Sequence, residues 1–249
     1  MTVPEARSHP RLRRYALRRL RLPLGDSILG IVVPDANEWV LRGGWVPAAE
    51  LGAEPPYWVD VWPASVAVAR LLSRLGSLAG SRVLDLGCGL GIPGIAAARG
   101  GAVVTFADRE EDALSFALWN AARVRTCEPA PSCQRLDWSR DLVRGEFDVV
   151  VLADVSYRPL HHGPLRRQLD ACLARDGVVI HADPMRRESQ GFLAGLRQDF
   201  ATLEAERDTH FGDKRVLVRL CIAARHGQAL DPWRAALTPG FRLPEAAGT

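Results

Sequence analysis

Arg82-Val83-Leu84-Asp85-Leu86-Gly87-Cys88-Gly89-Leu90-Gly91-Ile92-Pro93-Gly94 is the stretch that decides the fold. Val83 to Leu86 is a short apolar run with an acid inside it. Glycine then stands at every second position, and Pro93 opens a helix of small residues over 92–99. A strand, a glycine loop and a helix N-terminus in this order can hold a nucleotide-like ligand at a strand's carboxyl end. Glycine lets the backbone turn sharply and approach a ligand with no Cβ in the way. Proline suits the first helical turn, where its missing N–H is not needed.

Upstream, Tyr57-Trp58-Val59-Asp60-Val61-Trp62-Pro63 leads into a helix with Val66, Ala69, Leu72 and Leu75 on its face and Gly76 at its end. Downstream, the spacing predicts a strand over 102–107 ending at Asp108, a helix over 110–124, and a strand over 133–136 running into Asp137-Trp138. Phe147 to Ala153 is an apolar run interrupted only by Asp148, as in a parallel strand buried on both faces. Asp154-Val155-Ser156-Tyr157 follows it. Next come a helix over 165–173, a strand over 177–181, a helix over 187–199, and strands over 201–209 and 215–223. This alternation predicts an α/β, Rossmann-like, doubly wound and mostly parallel sheet with right-handed crossovers. No helix separates the last two strands, so one of them is antiparallel.

Residues 1–18 read as an arm. Residues 19–34 alternate loosely around Gly25-Asp26 and Gly30, which predicts a hairpin. Residues 34–56 form a Pro/Gly-containing loop expected to cover one edge of the site. Residues 226–249 are rich in Pro, Gly and Ala and read as a tail. The chain thus divides into an extension over 1–56, a catalytic domain over 57–225 and a tail over 226–249.

The 249 residues fit one such domain with an extension, and 47% hydrophobic content can fill a sizeable core. No apolar run approaches the ~20 residues of a membrane span, and the arginine-rich N-terminus lacks the apolar segment of a secretory signal. Five cysteines, an odd number with no C-x-x-C pair, point to a reducing, cytoplasmic location and away from a zinc site or disulfide framework. Cys88 reads as a small loop residue. Residues 1–21 carry seven arginines against Glu5 alone, so the net +3 charge conceals a basic arm on an acidic body. Such an arm can bind nucleic acid or an acidic protein surface, serve as a transit peptide, or be a solvated tail. Lys214 is the only lysine, so the arginine bias is general.

Two cofactors fit the glycine loop. Gly89-x-Gly91-x-x-Gly94, with Asp108 downstream, matches a dinucleotide fingerprint. Gly87-x-Gly89-x-Gly91 after Asp85 suits S-adenosylmethionine (SAM). A dinucleotide places its pyrophosphate at the helix N-terminus, where Asp85 is a like charge. SAM has no phosphate and carries a cationic amino group and a sulfonium. The segment favours SAM over NAD.

Together, Tyr57-Trp58 to Trp62-Pro63, Val83 to Gly91, Ala107-Asp108, Asn120, Leu136-Asp137-Trp138 and Ala153-Asp154-Val155-Ser156-Tyr157 resemble class I, seven-stranded SAM-dependent methyltransferases. Within these the chain is similar to the protein-lysine methyltransferases, with W-P before the glycine loop and D-x-x-Y after the fourth strand. Asp183-Pro184-Met185-Arg186 resembles the D-P-G-R stretch of the branch acting on the electron-transfer flavoprotein β-subunit, with Met185 in the glycine's place. The resemblance covers about residues 20–223. It implies methyl transfer from SAM to a lysine ε-amine of a protein, leaving S-adenosylhomocysteine (SAH). A small-molecule acceptor, an NAD-dependent oxidoreductase and a non-catalytic interaction module stay open beside it.

The cofactor residues are then Trp62, Asp85, Gly87, Gly89, Gly91, Asp108, Asp137, Trp138 and Ala153. Asp108 ends the second strand and can accept both ribose hydroxyls. Asp137 can accept from the adenine amino group while Trp138 packs on or beside the ring, worth ~1–3 kcal/mol. Trp62 can lie over the sulfonium. Asp154 and Tyr157 are the catalytic candidates, since open α/β sheets place their chemistry at strand carboxyl ends. Asp154 would hold and orient the amine rather than act as a strong base, and Tyr157 would add a hydrogen bond or an aromatic wall. No metal is expected. His161-His162 follow the D-x-x-Y element and can touch substrate, with a solvated loop as the plainer reading, and His181 reads as a satisfied core residue.

Overall fold

β3 (Arg82–Leu86) lies inside the sheet, and its residues from Val83 to Leu86 are buried. Successive side chains point to opposite faces. Val83 joins the core on one face; Leu84 and Leu86 join the core on the other. β6 (Phe147–Ala153) divides likewise, with Val149 and Val151 on the first face and Val150 and Leu152 on the second. Both strands read as apolar runs with one acid each, Asp85 and Asp148, because both faces are covered.

The computed structural model describes residues 6, 8–35, 56–123, 130–211 and 214–238. Its seven-stranded sheet has the order β5-β4-β3-β6-β7-β9-β8. The other strands are β4 (Val103–Asp108), β5 (Ser132–Arg135), β7 (Leu173–Asp183), β8 (Ala201–Phe211) and β9 (Lys214–Ala224). β9 runs antiparallel to both β7 and β8 and is the sheet's one reversed strand. The helices α1 (Pro63–Leu75), α2 (Ile92–Arg99) and α3 (Glu111–Ala121) contribute to the first core. The helices α4 (His162–Cys172) and α5 (Gln190–Asp199) contribute to the second. β7 starts directly at the end of α4, four residues before the expected strand start at 177.

Two segments differ from the sequence reading. Residues from 226 fold as a 3-10 turn (Gly227–Leu230) and helix α6 (Asp231–Leu237), which bury Leu230, Trp233 and Leu237 in the first core. Pro232 stands in the first turn of that helix, where proline starts rather than breaks it. Most of the arm's described part is docked. Leu12 is fully buried; Arg11 pairs with Glu111 and Asp112; Tyr15 donates to Asp112. Part of the basic charge therefore faces the acidic first turn of α3. The loop expected over 34–56 lies outside the described residues from 36 to 55.

The hairpin of β1 (Leu17–Pro23) and β2 (Ile28–Pro34) docks through a side chain. Asn120, buried on α3, accepts from Val32 N–H at 2.8 Å and donates to Val32 O at 2.8 Å. The amide takes the place of a neighbouring strand. Asn120→Ala leaves both buried backbone groups unpaired, at ~1–3 kcal/mol each. Urea titration should show ~2–5 kcal/mol lost, and an unchanged midpoint would mean the hairpin docks without this pair. Among the described residues no helix is long and apolar enough to cross a membrane.

Candidate active site

The sheet winds in opposite directions from β3, towards β4 on one side and β6 on the other, which opens a crevice at the strands' carboxyl ends. A cleft of about 990 Å³, open to solvent, lies there. Trp62, Asp85, Gly87, Gly89, Asp108, Asp137, Trp138, Ala153, Asp154 and Tyr157 all line it. Gly91 does not. A Cβ on Gly91 would meet Ala117 Cβ at 2.6 Å, and one on Gly87 would meet Val155 Cγ1 at 2.7 Å. At Gly91, away from the cleft lining, packing against the protein itself requires the missing Cβ; Gly87 is packed as well but also lines the cleft. Both also have positive φ, 71° and 74°.

Asp85 faces α2. Its Oδ2 accepts the Gly94 N–H at 2.9 Å, one of the helix's orphan donors. Burial pushes the carboxyl up to about 7; the Gly94 N–H pulls it down, and the charge of Asp108 adds to the rise. The α2 N-terminus, where a pyrophosphate would sit, is therefore occupied by the protein's own carboxylate. A phosphate-free ligand with cationic groups fits this lining; a dinucleotide does not.

Asp85 also predicts a pH effect. Its folded pKa lies above its unfolded one, so the native state binds more protons between pH ~4 and ~7. Stability is then lost as pH rises through that window, by up to about 4 kcal/mol, and is flat above it. Asp85→Asn removes the loss. The stability difference between variant and wild type should grow in the variant's favour from pH 4 to 7 and then level. Parallel pH curves would contradict the shift. His181, which burial lowers to about 4, acts oppositely but equally in both proteins.

Asp108 is 9% exposed at the end of β4. Its Oδ2 accepts from Gly89 N–H at 2.9 Å and its Oδ1 from Glu110 N–H at 3.0 Å. Each oxygen keeps acceptor capacity for a hydroxyl. Asp137 Oδ1 accepts from Ser139 N–H at 3.0 Å, a turn cap, in the same cleft. Trp138 lies against Gly87 and meets His161 edge-on at 5.4 Å.

Asp154, also in the cleft lining, is 7% exposed with φ 58°. Its oxygens accept from Arg186 Nε at 2.6 Å and Nη2 at 2.8 Å. Arg186 comes from the turn after β7, where Asp183 Oδ1 accepts its backbone N–H at 2.8 Å. Met185, which stands where the resembled motif has glycine, keeps a left-handed φ of 61°. Tyr157 stands among Tyr57 and His161, with ring centroids at 5.6 and 5.8 Å, and burial raises its hydroxyl's pKa. Trp62 Nε1 donates to Tyr57 O at 2.8 Å, which fixes that ring at the start of α1.

Three residues here escaped the sequence reading. Arg186 stood in a quoted motif without a role. Tyr57 likewise stood in a quoted motif without a role. His161, expected on a solvated loop, is buried and lines the cleft; burial, then Arg158, lowers its pKa. Behind the site, Ser156 Oγ and His181 Nε2 lie 2.7 Å apart, both fully buried, and tie the loop after β6 to β7. Among the described residues no group of three or more His, Cys, Asp or Glu could hold a metal.

The sheet order and cleft define a class I SAM-dependent methyltransferase fold. The magnesium protoporphyrin IX methyltransferase of Synechocystis shares it, with a TM-score of 0.51 at 21% identity over 64% of this chain and 79% of that one. So does the N-methyltransferase NodS of Bradyrhizobium japonicum, with a TM-score of 0.51 at 20% identity over 70% and 95%. A family model described as lysine methyltransferase matches residues 57–199, and the chain belongs to that family. SAM is its methyl donor. The Protein N-lysine methyltransferase METTL21A of Danio rerio is 34% identical over 162 residues, 60% of this chain and 73% of the relative. The Electron transfer flavoprotein beta subunit lysine methyltransferase of Danio rerio is 30% identical over 150 residues, 58% and 56%.

Proposed function

We propose that the protein transfers a methyl group from SAM to a lysine ε-amine of a protein substrate. The observation that carries this reading is that one cleft gathers all of these groups. Asp108, Asp137 and Trp138 line it together with Trp62, Asp154 and Tyr157, and the last three also line the smaller pocket beside Arg186. Asp108 takes the ribose hydroxyls, Asp137 the adenine amino group, and Trp138 the adenine ring. Trp62 flanks the methionine end beside Ala153. When bound, SAM supplies an electrophilic methyl group. The chain aligns the amine with it and excludes water.

Arg13, Arg18, Arg19 and Arg21 form no ion pair among the described residues and can meet an acidic substrate surface. The four described cysteines are unpaired, in keeping with a cytoplasmic location.

Calorimetry should show binding of SAM and SAH and none of NAD. Heat with NAD and none with SAM would overturn the reading. Cell lysate incubated with the enzyme and radiolabelled SAM should show label in a protein band, at lysine on hydrolysis. Label confined to small molecules would move the acceptor to another class.

A further inference from the structure

The two-pronged grip of Arg186 on Asp154 changes what an entering group meets. The carboxylate side chain is 3% exposed and the arginine side chain 34%. The chamber beyond is lined, among the described residues, by Tyr57, Trp62, Asp154, Tyr157 and Arg186, so one ion pair is the charge they bring to it. The guanidinium carbon lies 5.9 Å from the Trp62 ring centroid. Asp154 and Met185 both hold left-handed φ angles, strain of ~1–3 kcal/mol each that persists only where the surroundings enforce it. One of them bears the carboxylate and the other directly precedes the arginine.

We propose that Arg186 is a positioning residue that cancels the charge of Asp154, so that the chamber admits the target lysine as its uncharged amine. This rests on the lysine methyltransferase reading. An arginine stays protonated throughout the working pH range, so the pair is neutral overall. A lysine ammonium would bring a second cation beside the guanidinium in a partly desolvated site, and both conditions disfavour its charged form. The neutral amine has the free lone pair that methyl transfer requires, its proton having gone to solvent before entry. At pH 7.4 only about one lysine in a thousand is neutral in water, given a pKa of ~10.4. A bare Asp154 would select the other, unreactive form.

Other charged and titratable groups act on this pair from every side. Asp183 and Glu188 belong to the arginine's own turn, Tyr57 and Tyr157 meet edge to face beside it, Arg109 acts on Tyr157, and Arg219 acts on Asp183. Asp154 is the one carboxylate among them that lines the chamber.

n-Butylamine, a mimic of the lysine side chain, tests the proposal without a known substrate. Its binding to SAH-loaded protein is followed by tryptophan fluorescence at pH 7.5 and 9.5. Wild-type affinity should rise about 100-fold over those two units, because only the neutral species binds. Arg186→Met should change less than about threefold, with the ammonium held by the unpaired carboxylate. Arg186→Lys, which keeps the charge, should keep most of the wild-type slope. SAH affinity in each variant reports whether the site is intact. A wild type without the slope, or an Arg186→Met variant that retains it, overturns the proposal. Failure of SAH to bind the wild type overturns the methyltransferase reading beneath it, a separate result.

Discussion

Asp154→Asn should slow single-turnover methylation at saturating SAM by at least about 100-fold, or 2.7 kcal/mol of transition-state stabilisation, with little change in SAM affinity. Asparagine is the right replacement. It matches the carboxylate in size and tolerates the left-handed φ of 58° better than most residues, so the backbone of the loop can stay where it is. What is lost is charge. Arg186 then has no anion to hold it, and its guanidinium is free to enter the chamber it now borders. The nucleotide end of the cleft, at Asp108 and Asp137, is untouched, so binding of the donor should survive. Tyr157→Phe should cost less, because the ring and its contacts with Tyr57 and His161 remain. The substrate for the measurement is the protein band that takes label from lysate. A variant that methylates at the wild-type rate would reduce Asp154 to a structural cap.

The sheet was legible because its strands are buried on both faces. Val83 to Leu86 and Phe147 to Ala153 announce themselves as apolar runs, and the missing helix before β9 announces the reversal. The acids at strand ends, Asp108 and Asp154, follow from topology. What sequence spacing conceals is pairing over distance. Arg186 and Asp154 lie 32 residues apart and share no local pattern. Asn120 looks like an ordinary helical residue until Val32, 88 positions away, is seen to use it as a strand edge. Gly91 looks like a concession to a ligand, yet its missing Cβ makes room for Ala117, while Gly87 both lines the cleft and makes room for Val155. The C-terminal helix was hidden by its composition, although Leu230, Trp233 and Leu237 stand at helical spacing.

Asp108→Ala should weaken SAM binding by roughly 10–100-fold, ~1.5–3 kcal/mol for a charged hydrogen-bonding group. The carboxylate has two tasks that the substitution removes together. It fixes the glycine loop through Gly89 N–H and the start of α3 through Glu110 N–H, and it offers both oxygens to the cleft. Burial raises its pKa while these two N–H groups pull it back, so the protein holds a desolvated acid by aiming donors at it. The fold should persist, since the strand is paired on both sides and this residue ends it. Adenosine and adenine separate the two tasks, because the first carries the ribose hydroxyls and the second does not. If Asp108 acts on the ribose, the variant loses affinity for SAM and adenosine while adenine binds as it does to wild type. If adenine weakens by the same factor, the loss comes from a loosened loop. An unchanged SAM affinity in a folded variant would remove the ribose role altogether.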